Sequence, residues 1–259
     1  MSIDLSYARR QFAAYLRQYN PEDDKIRLKI VHTYGVVDCS RQICERLRLS
    51  EEDTALAQII GLLHDIGRFE QIKRYDSFEP DTMDHAAYGV QILFEEGHIR
   101  DFVREAGWDP IIRTSIALHS DYRLPDIPDG RTLLHARLIR DADKLDNCRV
   151  KLEDAIETML GASAEEVGRS SISPEVMEQF RNRRSVLSST RKTKMDYWLS
   201  YLAHYFDMNF KETLQIVREH RYAEKLIARI PYSNAETAAQ MQDVKRILQE
   251  YFEEVLGKE

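Results

Sequence analysis

The chain has 259 residues, 43% of them hydrophobic and 31% charged. That suffices for one large domain, or a core with a helical extension, under a wet surface. A net charge of −7 and a pI near 5.7 exclude general nucleic-acid binding, which relies on basic surface. No stretch approaches the roughly 20 apolar residues of a membrane span, and MSIDLSYARRQFAAYL lacks the apolar region of a signal peptide. A cytoplasmic protein is the expectation. Cys39, Cys44 and Cys148 are odd in number and show no CxxC spacing, which argues against a disulfide framework or a zinc knuckle.

Few glycines and prolines and no sustained alternation predict an all-α chain. Residues 1–19 form an N-terminal helix in this reading. Pro21-Glu-Asp-Asp opens a helix running to Cys44, with acidic residues at the positive end of its dipole. Ile26, Ile30, Thr33, Val37 and Ile43 repeat along it at near-helical spacing. Ser50 and Asp53 spell a capping box for a helix over 54–64, after which Gly67 permits a turn. The polar stretch 68–84, with Pro80 inside it, reads as a loop beside the site. Asp109-Pro110 starts another helix, and LPDIPDG at 124–130 is a second loop. Tyr197, Trp198, Tyr201, Tyr205, Phe206 and Phe210 recur at helical spacing near the C-terminus, suited to packing an extension onto a core. No internal repeat is present, which excludes solenoids.

Chemistry concentrates in a spaced series: His32, the adjacent pair His64-Asp65, then His85, His119 and Asp143. Imidazole and carboxylate without sulfur suit divalent Mn, Fe, Co, Ni or Zn rather than a structural zinc cage. An apolar helix ending in His-Asp would otherwise bury an unpartnered charge. The expected partition places His32, His64, Asp65 and Asp143 on one ion. A second takes Asp65, as the bridge, with His85 and His119. Ligating histidines need outer partners: Asp146, one helical turn past Asp143, and Asp84 beside His85 are candidates, a helix cap being the alternative for Asp84. His98, His135, His204 and His220 are expected outside the site.

KIVHTYGVV around His32, LLHDIGRF around His64-Asp65 and LIRDADKLDN around Asp143 resemble the HD-domain superfamily of metal-dependent phosphohydrolases. DHAAYGV at His85 and ALHSDY at His119 resemble its two-metal branch, which includes HD-GYP and cyclic-nucleotide phosphodiesterases. The GYP tripeptide is absent and Arg68 stands where HDIGK has lysine, so cyclic di-GMP is not implied. DYWLSYLAHYFDMNF resembles the C-terminal part of stand-alone bacterial HD proteins. The resemblance implies an HD helical bundle over 20–150 as catalytic core and a C-terminal helical extension over 151–259 that packs on it.

It also implies two divalent ions and hydrolysis of a phosphoester or phosphoanhydride in a small phosphorylated or nucleotide substrate. Two ions about 3.5–4 Å apart can generate a bridging hydroxide and neutralise developing charge. Asp65 and Arg68 are the expected catalytic residues, since a guanidinium suits a phosphate. Arg68, Lys144, Arg191 and Lys194 are expected to bind substrate, with Lys29 beside a ligand. The basic runs Arg181–Arg184 and Arg191–Lys194 stand out in an acidic chain, although a solvated face accounts for them too. Glu70 is near enough in sequence to shuttle a proton. Two other functions fit the same ligands: an HD-fold di-iron oxygenase similar to inositol oxygenase, and a non-catalytic nucleotide-sensing HD domain.

Overall fold

The computed structural model describes residues 3–79 and 81–258; Pro80 therefore lies outside the described residues. Among them every regular element is helical, as an all-α chain requires. The chain divides into two compact units, Met1–Asp146 and Asn147–Glu259. No helix is long and apolar enough to cross a membrane among the described residues.

The first unit begins with α1 (Leu5–Tyr15), which buries Ala8 and Phe12. The long α2 (Asp24–Arg46) starts where the Asp23 carboxylate accepts the backbone N–H groups of Lys25 and Ile26. Two of the helix's orphan donors are thereby satisfied, a contribution of about 1 kcal/mol. α3 (Glu51–Leu63) starts at Ser50, whose Oγ accepts from the Asp53 N–H. The Asp53 carboxylate turns to Arg131 and His135 on α8 (Gly130–Glu153). α3 buries Leu56, Ala57 and the whole run Ile59–Leu63. A helix apolar all round belongs at a domain centre, and each such Leu or Ile contributes about 1.5–3 kcal/mol. α3 packs on α2, α1 and α7 (Asp109–Leu118).

Two expectations change here. The polar stretch after the His-Asp pair is not wholly a loop: α4 (Ile66–Tyr75) occupies its first part. Ile66, Phe69 and Ile72 lie three apart and are all buried, so one apolar stripe carries the helix through a charged sequence. Only the segment from Asp76 to Asp84 remains to join α4 to α5 (His85–Val90). Gly67, in turn, is helical and has no positive φ. Its role is close approach, since a Cβ there would lie 2.3 Å from the His85 carbonyl and 2.7 Å from the Gly89 nitrogen. α5 passes into a π-helical turn at Gln91–Glu95, followed by the short α6 (Ile99–Phe102). Pro110 sits in the first turn of α7, and residues 124–129 form no regular element.

The second unit contains α9 (Ile156–Leu160), α10 (Ala164–Arg169), α11 (Pro174–Arg181), α12 (Lys194–Ala203), α13 (Lys211–Glu219), α14 (Tyr222–Ala228) and α15 (Ala235–Leu256). Trp198 and Tyr205 are fully buried. Tyr205 packs on Phe252, and Phe206 on Phe180 and Tyr251. Cys39, Cys44 and Cys148 are buried and form no disulfide.

Candidate metal centre

Four helix ends and two helix interiors of the first unit converge. α2 supplies His32 from its middle, and the α3–α4 junction supplies His64 and Asp65. α5 begins with His85, α7 ends at His119, and α8 carries Asp143. His64 and His119 both occupy C-cap positions, where the negative end of a helix dipole favours a cation. The four imidazoles form a row, His32–His64–His119–His85, with successive ring centroids 5.7, 5.1 and 5.0 Å apart.

The outer hydrogen bonds decide what these rings offer. His64 Nδ1 donates to the Gly61 carbonyl at 2.8 Å, and His119 Nδ1 donates to the Ile116 carbonyl at 2.8 Å. Each uses the carbonyl three residues earlier, so the local helix end fixes the tautomer. His32 Nδ1 donates to Asp146 Oδ2 at 2.7 Å. A neutral imidazole with Nδ1–H engaged carries its lone pair on Nε2, and those three Nε2 atoms face the carboxylates. His64 Nε2 is buried without any hydrogen-bond partner. Burial, countered only in part by Asp65, pulls the His64 pKa down to about 4, so its lone pair is free near neutral pH.

Asp65 stands between two groups of nitrogens. Its Oδ2 lies 3.6 Å from His64 Nε2 and 4.0 Å from His32 Nε2. Its Oδ1 lies 3.3 Å from His85 Nε2 and 3.6 Å from His119 Nε2. Burial pushes this carboxyl up, but Lys29, whose Nζ is 2.7 Å from Oδ2, and the surrounding His64, His119 and Arg68 hold it well below the usual range. Asp65 is therefore a carboxylate with one oxygen toward each group, the disposition a bridging ligand needs.

Donor chemistry tests whether a cation fits. His32 Nε2 lies 3.0 Å from Asp143 Oδ1, with Nδ1–H already given to Asp146. Two acceptors at that distance repel unless a proton or a cation lies between them. Held between two carboxylates, His32 has a raised pKa: burial and Lys29 lower it, and the bonds to Asp143 and Asp146 outweigh them. One ligand atom each from His32, His64 and Asp143 lie within 4.8 Å of one another, as do those of His64, Asp65 and His119. Imidazole and carboxylate donors without sulfur match Mn, Fe, Co, Ni or Zn. The residues thus fit a divalent ion.

The remaining candidates fall in varied places. Asp146 is the outer partner of His32 and is 2% exposed. Asp84 instead caps α5 by accepting the Ala87 N–H. Arg68 on α4 enters the centre, with Nη2 2.9 Å from His85 Nε2 and Nε 3.7 Å from Asp65 Oδ1. Lys144 is half-buried on α8. The Glu70 carboxylate is engaged by Tyr19 and Arg74. In the second unit, Arg191 lies over the Tyr197 ring and Lys194 Nζ donates to the Leu160 carbonyl at 2.6 Å. Arg183 and Lys192 pair with Glu254 and Glu175. His85 is in neither of the two groups of possible ligands, although its Nε2 lies 3.1 Å from His119 Nε2; nor are His135, which bonds Asp53, His98, which bonds Asp101, and His220, which stacks on Tyr222.

Three supporting residues escaped sequence reasoning. Arg140, 3% exposed, donates Nη1 to the carbonyls of Leu118, His119 and Asp121, closing the end of α7 that bears His119. Gln71, fully buried, accepts from Arg68 Nη1 and donates to the Glu79 carbonyl and Thr82 Oγ1. Gly35 makes room for Asp146, since a Cβ there would lie 2.0 Å from Asp146 Oδ1. The only sequence signal for any of them is the three-residue offset of Gln71 from Arg68.

A family model for the HD domain matches residues 30–148, a span holding every candidate ligand and Asp146. No curated protein and no solved structure matches the chain. The HD domain is thus what residues 30–148 of the chain resemble, and the ligand motifs fall inside that match.

Proposed function

We propose that the protein hydrolyses a phosphoester or phosphoanhydride of a small phosphorylated or nucleotide substrate. The observation that carries the reading is the convergence of imidazole nitrogens on two carboxylates. His32, His64 and His119 present Nε2 toward Asp65 and Asp143, each tautomer fixed from behind. His32, His64, Asp65 and Asp143 would hold one divalent ion, and Asp65, His85 and His119 a second. Such ions, when bound, supply Lewis acidity toward a phosphoryl oxygen and lower the pKa of water.

The chain's own residues do the rest. Asp146 orients His32 and raises its basicity as a ligand. Arg68, steadied by Gln71 and the Phe78 carbonyl, places a guanidinium beside Asp65. Lys29 adds an ammonium 12% exposed on the other side of the same carboxylate. Two fixed cations beside the ligand set suit a substrate oxyanion, because charge that develops on phosphoryl oxygens meets donors already in position. Lys144, on the helix that bears Asp143, is proposed as a further substrate contact.

The test is hydrolysis of a panel of phosphomonoesters, phosphodiesters and nucleotides by metal-loaded protein without oxygen, read as inorganic phosphate from monoesters and anhydrides and as the phosphomonoester product from diesters. Asp65→Asn serves as the control. Turnover in the wild type, lost in Asp65→Asn, supports hydrolysis. No hydrolysis there, with oxygen consumed in a parallel aerobic assay, would replace it with an oxygenase.

A further inference from the structure

Arg68 and His85 make a contact that the ligand partition does not use. His85 Nε2 lies 2.9 Å from Arg68 Nη2 and 3.1 Å from His119 Nε2. Since His119 gives its Nδ1–H to Ile116, its neutral ring has no proton to offer His85. An arginine only donates, so His85 must accept, and its single Nε2 lone pair goes to the guanidinium.

We infer that Arg68 is a resident cation of the His85–His119–Asp65 group, and that a divalent ion enters that group only when the guanidinium leaves His85. The inference rests on the metal reading above and concerns the order of filling. One lone pair cannot serve an N–H and a metal together. His85 Nε2, His119 Nε2 and Asp65 Oδ1 are mutually 3.1, 3.3 and 3.6 Å apart. Three acceptors that close need a positive partner, and Arg68 provides one from the chain itself. Its position is not incidental: Nη1 is held by Gln71 Oε1 at 2.5 Å and the Phe78 carbonyl at 3.2 Å. In the His32–His64–Asp143 group His64 Nε2 is buried with no hydrogen-bond partner, so its lone pair needs no such release and that group fills first. A lysine at this position, a point charge without the planar fork, could not hold Gln71, Phe78 and His85 together.

The test is calorimetric titration of Zn2+ into metal-free full-length wild type, Arg68→Gln, Arg68→Lys and the double variant Arg68→Gln/His85→Ala. Wild type binds one ion tightly and a second weakly. Releasing a charge-assisted hydrogen bond from His85 raises the second affinity in Arg68→Gln by roughly 10-fold or more. Arg68→Lys falls between, and adding His85→Ala abolishes the gain. Because Arg68 also bonds the Phe78 carbonyl, NMR of the wild type gives a second readout: the Arg68 guanidinium resonances move with the second equivalent of Zn2+ and not the first. Movement with the first equivalent overturns the inference. Equal second affinities in wild type and Arg68→Gln overturn it too, leaving the metal reading intact. Absence of any bound ion in either protein overturns both.

Discussion

Replacing Gly35 by alanine should damage the centre although Gly35 contributes no ligand atom. In a helix interior this change ordinarily stabilises by roughly 0.5–1 kcal/mol, because glycine loses more backbone entropy on folding. Here the new methyl would lie 2.0 Å from Asp146 Oδ1, 2.4 Å from Cγ and 2.7 Å from Oδ2. The whole carboxylate must move, and it is the group that accepts the His32 Nδ1–H at 2.7 Å. Loss of such an outer partner typically lowers metal affinity about 10–100-fold, which is about 1.4–2.7 kcal/mol at 1.36 kcal/mol per decade. Gly35→Ala and Asp146→Ala should therefore weaken binding of the first divalent ion by similar factors. The double variant should lose little more than either alone, since both remove one interaction. Calorimetric titration of the metal-free proteins measures all three. Wild-type affinity in Gly35→Ala, or additive losses in the double variant, would refute the argument.

Gly67→Ala should destabilise the first unit by about 1–3 kcal/mol through overpacking of α4 against α5; an unchanged denaturant midpoint would count against the close approach. Arg140→Ala should remove the side-chain donor from the buried His119 carbonyl, while the Leu118 carbonyl keeps the Asp121 N–H; the loss should cost about 1–3 kcal/mol, and chemical denaturation would read it. His135 is buried, and burial, opposed by Asp53, lowers its pKa below 6.5. The unfolded chain then binds that proton more readily, so the stability tied to His135 is complete above about pH 6.5 and declines as pH falls below it. Unfolding free energies at pH 7.5 and 5.5 should differ less for His135→Gln than for wild type; identical differences would rule His135 out.

The candidate ligands stand out in the sequence because their chemistry lies in residue identity, and the helices bring them together. His64-Asp65 after an apolar run, with His32 and Asp143 flanking it, has few other uses, and the match over residues 30–148 agrees. Caps were legible for the same reason: Ser50 and Pro110 act locally. α4 was misread because its charged residues masked a stripe of three apolar ones, Ile66, Phe69 and Ile72. Gly67 and Gly35 were opaque because their roles depend on atoms from other helices, the His85 carbonyl and the Asp146 carboxylate. Arg140 looks like any helical arginine until α7 is seen to end against it. Spacing thus reports the centre's first atoms, while the supports behind them exist only after the helices have packed.

The central claim is that His32, His64, Asp65 and Asp143 hold a divalent ion. Elemental analysis of protein purified without chelators, for wild type, His64→Gln and His135→Gln, tests it most directly. Wild type and His135→Gln should each carry at least one ion of Mn, Fe, Co, Ni or Zn per chain, and His64→Gln should lose most of it. Metal-free wild type that also fails to load on reconstitution, or His64→Gln that retains as much metal as wild type, would contradict the account.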